Sequence, residues 1–284
     1  MKITKAILII LFFVSACGLK SQNGLENIIV EKYYISNAND SNSRQISGFL
    51  PVGSVTYRLY LDMLPEYRFH AAYGSPGHEL RIETTTLFFN NEDAGNKLPN
   101  VIPRRTLNRN TVMLDSWLSA GGAGEGMYGV LKEQDDSLET IIHEKSFLQN
   151  KNKLAGIPIK DRDGLVVGED VPFPSFFGLD SILPVLYNTT NSSVFATTNG
   201  AWGCLGGAVG LDSLKTNRVL VAQITTNGDL TFELNIQIGK RGIPPENYVA
   251  KNPVGKEIMS PALTYRSKEI KLTSSKNKKP ANKK

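Results

Sequence analysis

Apolar and polar residues alternate along much of the chain. In the stretch 55–62, Val55, Tyr57, Leu59 and Leu61 are separated by more polar neighbours. The same alternation recurs at 67–73, 80–84 and 230–238. A period of two residues is typical of a β-strand that buries one face and exposes the other. These segments are therefore predicted to be half-buried strands.

The longest alternation, at 230–238, follows a β-branched stretch at 219–224. Asn227 and Gly228 lie between the two segments, and this pair of residues tolerates the positive φ angles of a type I′ turn. The pattern predicts that 219–224 and 230–238 pair as a hairpin.

Helical periodicity is weak by comparison. The apolar residues of 138–148 fit either a short helix or a strand. Short strands separated by Gly, Pro and Asn clusters are typical of antiparallel sandwiches. We therefore predict that 23–265 forms one all-β domain, an antiparallel β-sandwich of jelly-roll or immunoglobulin-like type, with at most one or two short helices.

The N-terminal 22 residues differ in character from the rest. Lys2 and Lys5 precede the apolar stretch 6–14, and small residues follow before Cys17. This is the arrangement of a secretory signal peptide, and its apolar stretch is shorter than the about 20 residues that a membrane-spanning helix needs. The four residues that end in Cys17 also resemble a bacterial lipobox. Two interpretations stay open: an outer-membrane or cell-surface lipoprotein with lipid on Cys17, or a secreted protein cleaved a few residues later.

The formal net charge of +5 is unevenly distributed. Residues 1–22 carry three lysines and 266–284 carry Arg266 and seven lysines against one glutamate, which leaves 23–265 with a net charge of −5. The tail 266–284 has almost no apolar residues after Leu272 and is predicted to be disordered. It suits contact with anionic lipid headgroups or a wall polymer, or it is a solvated end. Nucleic-acid binding is not expected, because no aromatic residues interleave with these lysines for base stacking.

The composition leaves few residues for catalysis. Two Cys and three His restrict thiolate, imidazole and zinc chemistry to a few positions. The His spacing matches no metal motif, and no Gly-x-Ser-x-Gly nucleophile motif is present. Cys204 has no His or acid close to it in sequence and is expected to be a small buried hydrophobe. We expect no catalytic activity, and the alternative is an envelope glycan hydrolase that uses a pair of loop carboxylates.

Several loops are rich in side-chain oxygens, the ligands that calcium prefers. The cluster with the most carboxylates comprises Asp161, Asp163, Glu169 and Asp170. Smaller clusters lie at 37–40 and 90–93. Calcium is therefore the candidate cofactor, and Asx turns at the ends of strands are the alternative explanation.

Aromatic residues give the best indication of binding. Trp117, Trp202 and Tyr128 lie in or beside stretches rich in Gly and Ser. Exposed rings at such positions would stack on sugars or on a partner protein. These three residues are the predicted ligand-binding residues, while core packing is the alternative for each Trp because Trp is highly buried on average.

Five segments carry a resemblance to a known group of proteins. They are 23–34, 50–58, 84–93, 205–210 and 232–238. Together they resemble a module of secreted and surface proteins of Bacteroidota that has no assigned activity. The resemblance spans roughly residues 23–265, implies an exported module and supplies no catalytic residue. We therefore expect a binding or structural module of the cell envelope, tethered through Cys17, with a polysaccharide or a surface protein as its partner.

Overall fold

The computed structural model describes residues 23–36, 40, 48–107, 111–132, 164–187 and 192–267. Over these residues it consists of 17 β-strands and of 3-10 helices of three or four residues. The predicted all-β fold is therefore confirmed. Within the described ranges, no helix combines the length and the hydropathy needed to cross a membrane. The leader 1–22, the segment 138–148 and residues 268–284 of the predicted tail lie outside the described residues. The tail was predicted to start at 266, but Arg266 belongs to a strand and Ser267 is buried, so its first two residues are part of the fold.

The strands are β1 (Leu25–Ile35), β2 (Val55–Met63), β3 (Arg68–Tyr73), β4 (Leu80–Thr84), β5 (Trp117–Leu118), β6 (Gly122–Gly124), β7 (Met127–Gly129), β8 (Leu165–Val167), β9 (Ser175–Phe177), β10 (Val194–Thr197), β11 (Ala201–Ala208), β12 (Asn217–Thr226), β13 (Leu230–Glu233), β14 (Ile236–Gly239), β15 (Glu246–Val249), β16 (Ile258–Met259) and β17 (Thr264–Arg266). The 3-10 helices are Pro99–Val101, Arg104–Thr106, Val112–Leu114, Leu183–Leu186 and Pro261–Leu263. Sheet I has the strand order β1-β2-β12-β5, sheet II β16-β15-β14-β3-β11-β9, sheet III β10-β4-β13-β17 and sheet IV β6-β7-β8.

Sheets II and III use consecutive stretches of the chain. β3 continues into β4, β10 into β11 and β13 into β14, so each of these stretches passes from one sheet to the other. The larger core joins sheet I to sheets II and III through residues such as Leu59 of β2, Trp202 of β11 and Ile82 of β4. Sheet I faces the other two sheets across this core, which is the arrangement of an antiparallel β-sandwich.

A second, smaller core lies on the other face of sheet I. It contains Tyr60 of β2 and Leu220 of β12, packed against apolar residues of the segment 102–131. β2 is consequently buried on both faces, with Leu59 in the first core and Tyr60 in the second. The strand predicted at 55–62 is present, but the prediction that it is half-buried is wrong, because this extra layer covers the face that would otherwise meet water.

Charged side chains lie inside this second layer. Arg58 of β2 is fully buried, and its Nη1 donates a hydrogen bond to the carbonyl oxygen of Gly164 at 2.9 Å. Glu31 of β1 accepts a hydrogen bond from the backbone N–H of Lys132 at 2.9 Å. These two side chains therefore hold Lys132 and Gly164, the described residues on either side of 133–163, against sheet I.

The predicted hairpin between 219–224 and 230–238 is wrong. β12 pairs with β2 and β5 in sheet I, whereas β13 pairs with β4 and β17 in sheet III. Neither Asn227 nor Gly228 has a positive φ angle. A Cβ on Gly228 would lie 2.5 Å from Oγ1 of Thr85, so glycine allows a neighbouring loop to approach closely here. The chain therefore crosses from one layer of the sandwich to the other at this point.

The other predicted strands are present. The segment 67–73 corresponds to β3 and 80–84 to β4. The alternating apolar residues of 230–238 are all buried in the larger core, although the chain divides there into β13 and β14. The alternation therefore identified the face of these strands that meets the core.

Candidate functional site

Both tryptophans that were predicted to bind a ligand are buried. Trp117, on β5, is 1% exposed and belongs to the second core. Trp202, on β11, is 0% exposed, its Nε1–H donates to the carbonyl oxygen of Val221 at 3.1 Å, and its ring lies edge-on to Phe195. Neither indole presents a face on which a sugar could stack. Core packing, the alternative considered for both residues, is the role that their burial supports.

Tyr128 is only partly buried, and a loop holds its hydroxyl. Its O–H donates to the carbonyl oxygen of Asp170 at 2.8 Å. Burial and the nearby Asp170 carboxylate raise the pKa of Tyr128. Tyr128, a predicted binding residue, thus lies beside Asp170, a predicted calcium ligand. The hydrogen bond between them uses the backbone of Asp170, and the Asp170 side chain stays exposed.

Only two of the four predicted calcium ligands belong to the described residues. Asp161 and Asp163 lie outside the described residues, while Glu169 and Asp170 are exposed in the loop after β8. Among the residues that the structure describes, no group of three or more His, Cys, Asp or Glu side chains could hold a metal ion. Calcium binding by these four residues stays a prediction.

Asx turns account for part of the oxygen-rich segment 90–93. The side chain of Asn91 accepts a hydrogen bond from the backbone N–H of Ala94 at 3.0 Å. The buried Asp115 carboxylate accepts hydrogen bonds from two backbone N–H groups of the same loop, both at 2.7 Å. These hydrogen bonds shape the loop, and its two carboxylates, Glu92 and Asp93, are both exposed.

A polar groove of about 250 Å³ lies on the outer face of sheet II. Its lining residues are Ala71, Tyr73, Gln237, Asn247 and Glu257. Gln237 is opposite Ala71 in the register of β14 with β3, and opposite Asn247 in the register of β14 with β15. These three residues therefore form one row across three adjacent strands, and the small side chain of Ala71 leaves the space that the groove occupies.

Alternation along the strands directs this row outward. On β14, Ile236 and Ile238 face the larger core, so Gln237 between them faces the opposite side. On β15, Tyr248 faces the core, and Asn247 points away from it in the same manner. Nε2 of Gln237 donates to Oδ1 of Asn247 at 2.9 Å, which fixes the orientation of both amides.

Glu257, which lines the groove, contacts a buried histidine. Nε2 of His78 lies 3.0 Å from Oε2 of Glu257, and the His78 side chain is only 6% exposed. The same carboxylate oxygen accepts the backbone N–H of Val254 at 2.7 Å. The carboxylate of Glu257 is thereby held in place, and burial together with this carboxylate raises the pKa of Tyr73 to about 12. The Tyr73 hydroxyl is consequently protonated at neutral pH and is able to donate a hydrogen bond.

The groove offers hydrogen-bonding groups of both kinds and little net charge. Tyr73 supplies a hydroxyl, Gln237 and Asn247 supply amides, and Glu257 supplies one carboxylate. A hydrolase that uses two carboxylates would need a second one at a defined distance, and the lining residues include only Glu257. The arrangement is suited to holding a polar, uncharged molecule.

A second groove, on the outer face of sheet III, is lined by charged residues, and two of them, Arg81 and Glu233, form ion pairs. Arg81 lies 2.8 Å from Glu83 and 3.6 Å from Glu79, and Glu233 lies 2.8 Å from Lys251. The first three residues form the solvated charge ladder that their alternation on one strand face indicates. This face therefore offers a natural control surface for the groove on sheet II.

The sequence patterns pointed to only part of the groove. Alternation on 230–238 already directs Gln237 away from the core. Asn247 and Glu257 come from later segments, and only the register of β14 with β15 and the turn at Glu257 bring them beside it. Comparison with protein-family models, curated proteins and solved structures found no match to this chain.

Proposed function

We propose that this protein is an exported, membrane-tethered, non-catalytic binding module of the bacterial cell envelope, and that the groove on sheet II binds a polysaccharide. The observation that supports it most is the outward row of Ala71, Gln237 and Asn247, flanked by Tyr73 and Glu257. Export and tethering come from the leader 1–22 and its lipobox, and the surface-module character comes from the resemblance to Bacteroidota modules.

Sugar hydroxyls both donate and accept hydrogen bonds, so they suit a mixture of amides, a phenol and a carboxylate. Glu257 would accept from hydroxyl groups, and Tyr73 would donate to a hydroxyl or ring oxygen. A groove of about 250 Å³ is smaller than the roughly 300–1,000 Å³ typical of pockets that enclose a small molecule. It fits one unit of a longer chain better than a whole ligand.

A bulky side chain placed in the groove tests whether the groove binds polysaccharide. The full-length chain is incubated with insoluble polysaccharides and with purified cell envelopes, and bound protein is measured after sedimentation. Ala71→Trp should abolish binding, because the indole would occupy the space above Gln237. Ala196→Trp, on the outward, half-buried side of β10 in sheet III, is the matched control and should bind like the wild type.

Smaller changes should have graded effects. Asn247→Ala removes one hydrogen-bonding amide, which corresponds to about a two- to tenfold loss of affinity. Parallel assays with calcium and with chelator test the separate prediction for Asp161, Asp163, Glu169 and Asp170. Unchanged binding by Ala71→Trp would refute the groove as the site. Saturable binding to envelopes but to no glycan would favour a protein partner, and release of reducing ends would favour the hydrolase alternative.

A further inference from the structure

Strand register defines one end of the sandwich, which we call the entry end. Leu25 at the start of β1 and Asn217 at the start of β12 are both opposite Met63 at the end of β2. In sheet II, Arg68 at the start of β3 is opposite Gly239 at the end of β14. The loops that leave these strand ends therefore lie together. They are 64–67, 209–216 and 240–245.

The N-terminal residues of the described chain are fixed at the entry end. The backbone N–H of Gly24 donates to Oε2 of Glu246 at 2.9 Å, and its carbonyl accepts the N–H of Leu64 at 2.8 Å. Cys17 precedes Asn23 by six positions, which spans at most about 20 Å even when fully extended. A lipid on Cys17 would therefore hold the entry end close to the bilayer.

Exposed leucines also lie at this end. Leu205 is 81% exposed and Leu214 is 73% exposed, while Leu211 and Ile243 are each 47% exposed. Leu205 lies in an irregular part of β11, between Gly203, which pairs with Ala71, and Ala208, which pairs with Phe69. The two residues that follow it, Gly206 and Gly207, have φ angles of +84° and +78°. This turn carries the leucine out of the sheet. Single exposed apolar residues are common, whereas several at one end of a domain are typical of an interaction surface.

Basic residues accompany the leucines. Arg68, Lys215 and Arg241 are exposed on the same strand ends and loops. Lys240 pairs with Glu66, and Lys215 lies 4.0 Å from Asp212, which offsets part of the charge. Exposed leucines beside Lys and Arg are the combination that binds the headgroup region of anionic membranes.

We propose that the entry end is a membrane-docking surface, in which Leu205 and Leu214 enter the headgroup region while Arg68, Lys215 and Arg241 contact anionic lipids. This inference rests on the tethering proposed above and is independent of the groove. Docking would give the module a fixed orientation on the membrane, which a tether alone does not provide.

The test places a fluorescent reporter at each end of the sandwich. The full-length chain carries Leu205→Trp or Leu214→Trp and is mixed with vesicles of phosphatidylethanolamine and phosphatidylglycerol, with or without brominated acyl chains. The emission of the added tryptophan should shift to shorter wavelength and lose intensity when brominated lipid is present. Val52→Trp is the matched control, because Val52 is 64% exposed and adjoins the opposite end of sheet I. Trp117 and Trp202 give the same buried background in all three variants.

Two results would overturn the proposal. One is a protein that sediments with vesicles while positions 205 and 214 are quenched no more than position 52. The other is a wild-type chain that does not sediment with the vesicles at all. The variant Leu205→Ser/Leu214→Ser should keep the glycan binding of the wild type, so failure of the docking surface is distinguishable from failure of the groove.

Discussion

Replacing Arg58 with methionine tests how the second layer is held to sheet I. Arg58 is 0% exposed, and its guanidinium lies 3.5 Å from the centre of the Tyr33 ring. Its Nε donates to Oε1 of Gln223 at 2.8 Å and its Nη1 to the carbonyl of Gly164 at 2.9 Å. Methionine keeps an unbranched stem but removes the charge and both hydrogen bonds. Glu31 then stays buried without its main cationic neighbour.

The expected loss of stability is large. A hydrogen bond from a charged donor contributes about 1.5–3 kcal/mol, and a buried cation over an aromatic ring contributes up to about 2 kcal/mol. These contributions are not additive, and removing one partner of a buried charge pair typically costs about 3–5 kcal/mol. We therefore expect Arg58→Met to lower the free energy of unfolding by about 3–5 kcal/mol. That is a large part of the roughly 5–15 kcal/mol typical of a folded domain.

The pH dependence separates the charge from the packing. Burial raises the pKa of Glu31 above its usual 4.5, although Arg58, the Lys132 N–H and the Lys132 charge oppose the shift. The folded state then binds the Glu31 proton more tightly than the unfolded state, so this residue's contribution to stability decreases as pH rises from 4.5 through the raised pKa. Without Arg58 the pKa rises further, and stability should decrease more steeply between about pH 5 and pH 8.

Urea unfolding at about pH 5 and about pH 8 measures this effect in the wild type, Arg58→Met, Glu31→Gln and the double variant. Glu31→Gln should recover part of the stability of Arg58→Met at the higher pH and remove its additional pH dependence. A loss below about 1 kcal/mol for Arg58→Met would contradict the proposed role of Arg58 in holding the second layer to sheet I. So would a pH dependence equal to that of the wild type.

Three further variants test the fold around the two proposed surfaces. Gly203→Ala should lower the free energy of unfolding by about 2 kcal/mol or more, because the added Cβ would lie 1.9 Å from the carbonyl oxygen of His70; a wild-type urea midpoint would contradict this. Asp115→Asn should lower the free energy of unfolding by about 1–3 kcal/mol and speed amide exchange in the 91–96 loop. Each oxygen of the Asp115 carboxylate accepts a backbone N–H at 2.7 Å, whereas asparagine has only one oxygen that can accept. Glu246→Gln should speed amide exchange at Gly24, because a neutral amide replaces the carboxylate that now accepts its N–H; unchanged exchange there would show that other contacts hold the N-terminus.

Local alternation predicted which face of 230–238 meets the core, but not which strands pair and not that a second layer covers the other face of β2. The apolar residues of 230–238 all face the larger core, as the alternation indicates. The same segment nevertheless divides between sheets III and II, and β12 belongs to sheet I. Turn chemistry at Asn227 and Gly228 is a local signal, whereas the close approach of Thr85 to Gly228 is a long-range contact. A local pattern does not reveal such a contact.

The candidate site also combines a residue that its own strand predicts with a residue that only long-range pairing brings beside it. Gln237 could be assigned to the outer face from its own strand, but its partner Asn247 lies ten positions later and meets it only through register. The glycines around Trp202 are typical of an open loop, but the ring is buried. Gly203 instead lies where β11 approaches the carbonyl of His70 closely. Glycine beside Trp202 therefore allows close strand packing, in which the Trp202 ring is buried.

The two ends of the described chain give the last prediction, which concerns the Lys-rich tail. Gly24 lies at the entry end, whereas Ser267 bonds to the backbone of Leu230, and Leu230 is opposite Thr84 at the far end of β4. The tail 268–284 therefore starts on the side away from the proposed membrane surface. Deleting 268–284 should leave the bromolipid quenching at positions 205 and 214 unchanged, because the docking surface does not include the tail. If the deletion abolished that quenching, the lysines rather than the leucines would hold the protein on the bilayer.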